Sequence, residues 1–217
     1  MFADRREDFP TLCGENPPVY LDNACMTLRP KSVIAAIRSY YEESPGCGGR
    51  SVHRYATTVS RKMASCRTKM AKMFNAETSN EIAFTKNATH SLNQVAKGLS
   101  WNKGDVVLTT DREHNSNLVP WLQLEQEQGI DHRVVRSNSD NTFDMEAFEA
   151  ACADAGDKLK MASLSHVGNL DGVTTPVKAA AKVAKDHGAM VCIDGAQSTP
   201  HMKVDVQDLG IDFMAFS

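Results

Sequence analysis

Hydrophobic positions along this chain fall into two patterns that alternate. Glu81-Ile-Ala-Phe-Thr-Lys86, Val106-Val-Leu-Thr-Thr110, His132-Arg-Val-Val-Arg136, Lys160-Met-Ala-Ser-Leu-Ser165, Met190-Val-Cys-Ile-Asp194 and Phe213-Met-Ala-Phe-Ser217 read as strands. Several are apolar on both faces, which predicts a mostly parallel sheet buried from both sides. Between them, apolar residues recur at helical spacing: Leu92, Val95, Ala96 and Leu99; Leu118, Leu122 and Leu124; Met145, Phe148 and Cys152; Val177, Ala180 and Ala184. The alternation predicts an α/β fold. The last of these helices has Thr175 as its expected N-cap, Pro176 in the first turn and Gly188 just past the end.

Before Glu81 the pattern is helical only. One helix begins near Pro30 with Val33, Ile34, Ile37 and Tyr41 expected to face inward. After Pro45-Gly-Cys-Gly-Gly49 a longer one carries a stripe of Val59, Met63, Cys66, Met70 and Met73, expected to be core. The change of character divides the chain into an N-terminal arm with helices over residues 1–75 and a sheet domain over 76–217.

Composition narrows the class. The 217 residues are 41% hydrophobic, enough for a sizeable core. The 24 Lys and Arg against 27 Asp and Glu are mixed along the chain, with no basic stripe among aromatics, so nucleic acid is not an expected partner. No apolar run approaches the roughly 18 residues of a membrane span, and Met1 to Asp8 lacks the apolar core of a signal peptide, so no membrane partner and a cytoplasmic location are expected. The six cysteines form no Cys-x-x-Cys pair, which argues against a disulfide framework or a metal site; most are expected to be buried as small hydrophobes.

Candidate chemistry falls at strand ends. Thr85-Lys-Asn87-Ala88-Thr89-His90 lies between a strand and a helix, where backbone N–H groups can hold a phosphate, although Asn87 or Thr89 there also reads as an ordinary N-cap. Thr110-Asp-Arg-Glu113-His114-Asn115-Ser116-Asn117 offers a histidine to stack on a flat ligand or to move a proton. Ser165-His166-Val167-Gly168-Asn169 offers an amide, and Asp194-Gly-Ala-Gln197 a carboxylate closing an apolar strand, with a helix cap as its plainer role. Together they suit pyridoxal 5′-phosphate, which needs a phosphate cup, a flat partner, a donor to its phenolic oxygen and an acid at its pyridine nitrogen. Thr89, His114, Gln197 and Asp194 fit those roles in that order. Dinucleotide and Walker fingerprints and the His-Glu-x-x-His zinc motif are absent.

These stretches, together with Tyr20-Leu-Asp-Asn-Ala24, Gly49-Arg-Ser-Val-His53, Glu113-His-Asn-Ser-Asn-Leu-Val-Pro-Trp121 and Asp212-Phe-Met-Ala-Phe-Ser217, run in one order from about residue 19. The sequence resembles the class V aminotransferase family of fold type I pyridoxal-phosphate enzymes, most closely the cysteine desulfurase and selenocysteine lyase branch. The resemblance implies a three-layer αβα large domain. It implies catalytic roles for Asp194 at the pyridine nitrogen and His114 stacked on the ring, and contacts from Gln197 and Asn169 around the phenolic oxygen. Ala88, Thr89 and Ser217 would hold the phosphate, and Asn23, Ala24 and His53 would lie on the substrate side.

In this family Gly-His-Lys follows the final Phe-Ser, and its lysine forms the Schiff base. By that pattern the chain is expected to be an N-terminal part that lacks the lysine, the last sheet strand, the C-terminal domain, the loop with the nucleophilic cysteine and a substrate-binding arginine. The expected activity of the complete enzyme is cysteine to alanine with an enzyme persulfide. Transamination, kynureninase-like cleavage and epimerisation stay open, as do a lysine-free binding subunit and a doubly wound nucleotide-binding domain. Expected partners are an amino-acid substrate, a second copy in a homodimer or a second polypeptide supplying the remainder, and a sulfur-acceptor protein in iron–sulfur cluster assembly. Cys25-Met26 and His90 depart from the family pattern; Cys25 reads as a buried spectator or a residue near substrate.

Overall fold

In the computed structural model, which describes residues 5–217, five strands form one sheet. They are β1 (Val106–Thr110), β2 (Asp131–Val135), β3 (Leu159–Ser165), β4 (Met190–Asp194) and β5 (Phe213–Ala215). Their order is β2-β1-β3-β4-β5 and every pairing is parallel. The helices are α1 (Lys31–Glu43), α2 (Arg54–Phe74), α3 (Ala88–Gly98), α4 (Asn115–Gln128), α5 (Met145–Ala155), α6 (Val177–Asp186) and the short α7 (Val206–Leu209). The chain divides into two compact units at Lys69 and Met70, and the sheet lies in the second.

All five residues of β1 are buried, as the two-faced apolar runs require. Alternate strand residues feed two cores. Val106, Leu108, Val191 and Ile193 pack with Phe148 and Cys152 of α5 and Val177, Ala180 and Ala184 of α6. Val107, Met161 and Cys192 pack with Leu92 and Ala96 of α3 and Trp121 and Leu124 of α4. Helices therefore cover both faces, giving three αβα layers. Each fully buried large side chain contributes roughly 1.5–3 kcal/mol.

The face under α3 and α4 changes character along the strands. On β3 it reads Met161, Ser163, Ser165, and on β4 Met190, Cys192, Asp194. Each strand begins apolar and ends polar, so the carboxyl edge of the sheet is where buried polar groups collect.

Several sequence expectations are corrected. Glu81 to Lys86 forms no strand: Glu81 is drawn into the turn Ser79–Glu81 by a capping box with Thr78, and Phe84 is 43% exposed. The stripes of α1 and α2 are amphipathic but not core, since Val33, Ile34, Ile37, Tyr41, Met63, Cys66 and Met73 are exposed. Periodicity names the face a helix offers, not what covers it. On α4, Trp121 points inward and Leu122 outward. The α6 N-cap position is held by Pro176; the Thr175 N–H bonds the His166 carbonyl at 3.0 Å, and Gly188 follows the helix in the left-handed region. Only Cys152 and Cys192 are buried, while Cys13, Cys25, Cys47 and Cys66 are exposed; all are free thiols. Among the described residues no helix is long and apolar enough to cross a membrane, and no group of side chains could hold a metal ion.

Candidate functional site at the carboxyl edge of the sheet

Parallel pairing aligns the carboxyl ends of β1, β3, β4 and β5 along one edge, the place where open α/β sheets bind ligands. His114 follows β1, Asn169 follows β3, Asp194 ends β4 with Gln197 just beyond, and Ser217 follows β5.

Asp194 is 5% exposed. Its Oδ1 accepts the Ala196 N–H at 3.0 Å and its Oδ2 the Ser116 hydroxyl at 3.4 Å. The backbone around it is fixed as well: the Asp194 carbonyl accepts the His166 N–H at 2.9 Å, and the Gly195 N–H reaches the Ala215 carbonyl at 2.7 Å. Burial pushes the Asp194 carboxyl above the ordinary carboxylate range, against the lowering influence of the Ala196 N–H, His114 and Ser116. A carboxyl held up by desolvation is returned to its ionised form by a nearby cation.

His114 is the N-cap of α4. Its Nδ1 accepts the Ser116 N–H at 3.1 Å and lies 2.8 Å from the Ser116 hydroxyl. An accepting Nδ1 puts the proton of the neutral ring on Nε2. One serine thus joins the exposed imidazole to the buried carboxylate.

At α3, Asn87 is the N-cap, its Oδ1 accepting the His90 N–H at 2.8 Å. The Ala88 N–H donates to the Ser217 hydroxyl at 3.0 Å, which ties the start of α3 to the residues after β5. Thr89 is exposed in the first turn. A helix N-terminus flanked by two hydroxyls has the chemistry of an anion site.

Seven of the residues named from sequence, Ala88, Thr89, His114, Asn169, Asp194, Gln197 and Ser217, therefore stand at strand ends or helix starts of this unit. Asn169 is exposed in a turn, and Gln197 is half-buried. Asn23, Ala24 and His53 belong to the unit that ends at Lys69. There the Asn23 carbonyl accepts the Thr27 hydroxyl at 3.3 Å, and the His53 Nδ1 accepts the Ala56 N–H at 3.4 Å.

Sequence reasoning assigned no role to Glu113. Its Oε1 accepts the Thr110 hydroxyl, and its Oε2 the Asn117 amide and the Ser165 hydroxyl, each at 2.7 Å; the Asn117 carbonyl oxygen accepts from Ser163 at 2.5 Å. Two serines two apart in an otherwise apolar strand were the signal for this network. Burial raises the Glu113 carboxyl above its ordinary range, outweighing those three donors. A raised folded-state value stabilises the fold fully below the ordinary carboxylate range, and the contribution is lost as pH climbs through the folded value. Urea unfolding of the protein and of Glu113→Gln should therefore shift in favour of the variant as pH is raised from about 4 to 7. A stability difference flat across that window would contradict burial as the cause.

A parallel three-layer sheet with a buried carboxylate, an imidazole and a helix N-terminus along one edge defines the class, and the family follows from the match. The chain belongs to the class V aminotransferase family, whose model (Aminotransferase class-V) matches residues 19–217. It spans about half the length of the curated relatives it matches. It is 37% identical to a probable cysteine desulfurase of Halalkalibacterium halodurans, over 96% of this chain and 52% of that protein. It is 39% identical to a probable cysteine desulfurase of Pyrococcus abyssi, over 99% of this chain and 52% of that protein. Among solved structures, the apo cysteine desulfurase of Thermococcus onnurineus NA1 superposes with a TM-score of 0.89 at 36% identity, covering 98% of this chain and 52% of that one. A C-DES mutant with glycine covalently linked to its PLP cofactor superposes with a TM-score of 0.84 at 26% identity, covering 100% of this chain and 55% of that one.

Proposed function

We propose that this chain is the N-terminal portion of a pyridoxal 5′-phosphate-dependent cysteine desulfurase, with residues 76–217 forming part of its cofactor-binding domain. The observation that carries the reading is Asp194, a buried carboxyl at a strand end, coupled through Ser116 to His114. The donor set fits the group. Asp194 is an anionic acceptor for a ring N–H, His114 a flat neighbour, and the start of α3 with Thr89 and Ser217 a phosphate cup. When bound, the cofactor supplies an electron sink for an amino acid attached to it.

The chain's own residues do the placing. Asp194 would accept the N–H of a protonated pyridine nitrogen, His114 would offer a flat face to the ring, Gln197 and Asn169 would supply donors to the phenolic oxygen, and Ala88, Thr89 and Ser217 would hold the phosphate. Asn23, Ala24 and His53 serve the substrate side. In this reading the substrate is cysteine, converted to alanine, and the family's lysine and nucleophilic cysteine belong to the length of the relatives that this chain does not span. A homodimer, a sulfur-acceptor partner and a cytoplasmic location belong to the same reading. The relatives' names favour it over a lysine-free binding subunit.

Titration of the purified protein with pyridoxal phosphate, NAD and ATP tests the assignment by absorption and fluorescence. Saturable binding of pyridoxal phosphate alone is expected. Preference for either nucleotide would overturn it.

A further inference from the structure

Three consecutive charged residues, Asp111, Arg112 and Glu113, separate β1 from His114, and each is fastened to a different neighbour. Asp111 Oδ1 accepts the Ser137 N–H at 3.1 Å and its hydroxyl at 2.7 Å. Glu113 is held by Ser165 on β3. Arg112 reaches furthest: Nη1 donates to Asn141 Oδ1 at 3.2 Å, and Nη2 forms an ion pair with Asp171 Oδ2.

Asp171 lies in the turn that presents Asn169, and that turn is closed upon itself. The Gly168 N–H donates to the Val173 carbonyl at 2.9 Å, the Gly172 N–H to the Gly168 carbonyl at 3.0 Å, and the Val173 N–H to Asp171 Oδ1 at 3.1 Å. A Cβ at position 168 would stand 2.5 Å from Asp171 Oδ1, so glycine there leaves room for the carboxylate. One carboxylate oxygen is thus spent on its own turn while the other faces Arg112.

We propose that Arg112 is a positioning residue that, through Asp171, clasps the loop bearing His114 to the turn bearing Asn169 and so sets the spacing of two sides of the candidate site before a ligand arrives. The nature of that ligand rests on the reading given under Proposed function. The side chains of the pair are partly exposed, and such pairs add little to stability. The effect of this one therefore falls on placement, where preorganisation is converted into affinity.

The test compares Arg112→Met, Asp171→Asn, which keeps an acceptor for the Val173 N–H, the double variant and Arg112→Lys. Pyridoxal phosphate affinity, visible circular dichroism of the bound cofactor, thermal midpoint and amide exchange of residues 111–117 and 166–173 are measured on each. Each single loss should weaken binding about tenfold and alter the dichroism, with the double variant no worse than either. Arg112→Lys should retain most of the affinity. Thermal midpoints should stay within about 2 °C. Amide exchange should quicken in both segments when either partner is lost. Losses that add in the double variant, affinities within twofold of the unsubstituted protein, or exchange changes confined to the substituted segment would overturn the clasp. Absence of pyridoxal phosphate binding by the unsubstituted protein would instead overturn the cofactor reading, and the exchange data would still decide the clasp.

Discussion

Asp194→Ala is expected to weaken pyridoxal phosphate binding about 100- to 1000-fold, the cost of leaving a buried cationic partner uncompensated. The carboxylate is placed by a strand end, by the Ala196 N–H and by Ser116, so its charge is held at one fixed point. Asp194→Asn sharpens the test, because it keeps the shape and an acceptor for the Ala196 N–H while removing the charge. Its affinity should fall nearly as far. The ligand-free protein should respond in the opposite sense: burial raises the Asp194 carboxyl, so the ionised form is a burden on the fold at neutral pH. Asp194→Asn should unfold at higher urea than the parent at pH 7 and bind the cofactor less well. Affinity within threefold of the parent would remove Asp194 from the role given to it.

Trp121→Ala should cost about 3–5 kcal/mol and lower the thermal midpoint by roughly 10 °C. The indole is fully buried between α3 and the sheet, packed with Leu92, Ala96, Val107 and Met161, and the Trp101 ring meets it edge-on with centroids 5.8 Å apart. Truncation would leave a cavity beneath the helix whose first turn presents His114 and Ser116, so the loss reaches the site through α4. Trp121→Phe should cost much less, under about 1.5 kcal/mol, because the indole N–H has no hydrogen-bond partner among the described residues and its removal offsets lost contact area. Denaturant unfolding of the two variants checks both values. Equal costs would show that the cavity is not what matters.

β1, β3 and β4 were legible because their apolar residues fall on both faces, as a parallel sheet covered from both sides requires, whereas β2 was marked by its short Val134-Val135 run alone. Glu81 to Lys86 has similar composition, yet Glu81 is consumed by its bond to the Thr78 N–H at 2.8 Å. Such a local competitor is invisible to a hydrophobicity count. The stripes of α1 and α2 were legible as faces and misread as core, since burial depends on what lies opposite. At the site, His114 and Asp194 could be named because each lies in a polar stretch at or just beyond the end of an apolar strand, and Ser217 only because the family resemblance pointed to it. Glu113, Ser163 and Asn117 could not, because their role is to bond one another across β1, α4 and β3, and that adjacency exists only once the sheet is formed. The Arg112 and Asp171 pair was hidden for the same reason, its members standing 59 positions apart in sequence.

The bond from the Ala88 amide to the Ser217 hydroxyl spans 129 residues of sequence. A ribosome releases the chain vectorially, so α3 emerges long before the serine that its Ala88 amide bonds, and β5 must dock before that contact can form. Long-range closure of this kind is slow. Capture of an anionic ligand there would accordingly wait until both ends of this span are in place, and nascent chains stalled before Ser217 should bind pyridoxal phosphate more weakly than chains extended past it.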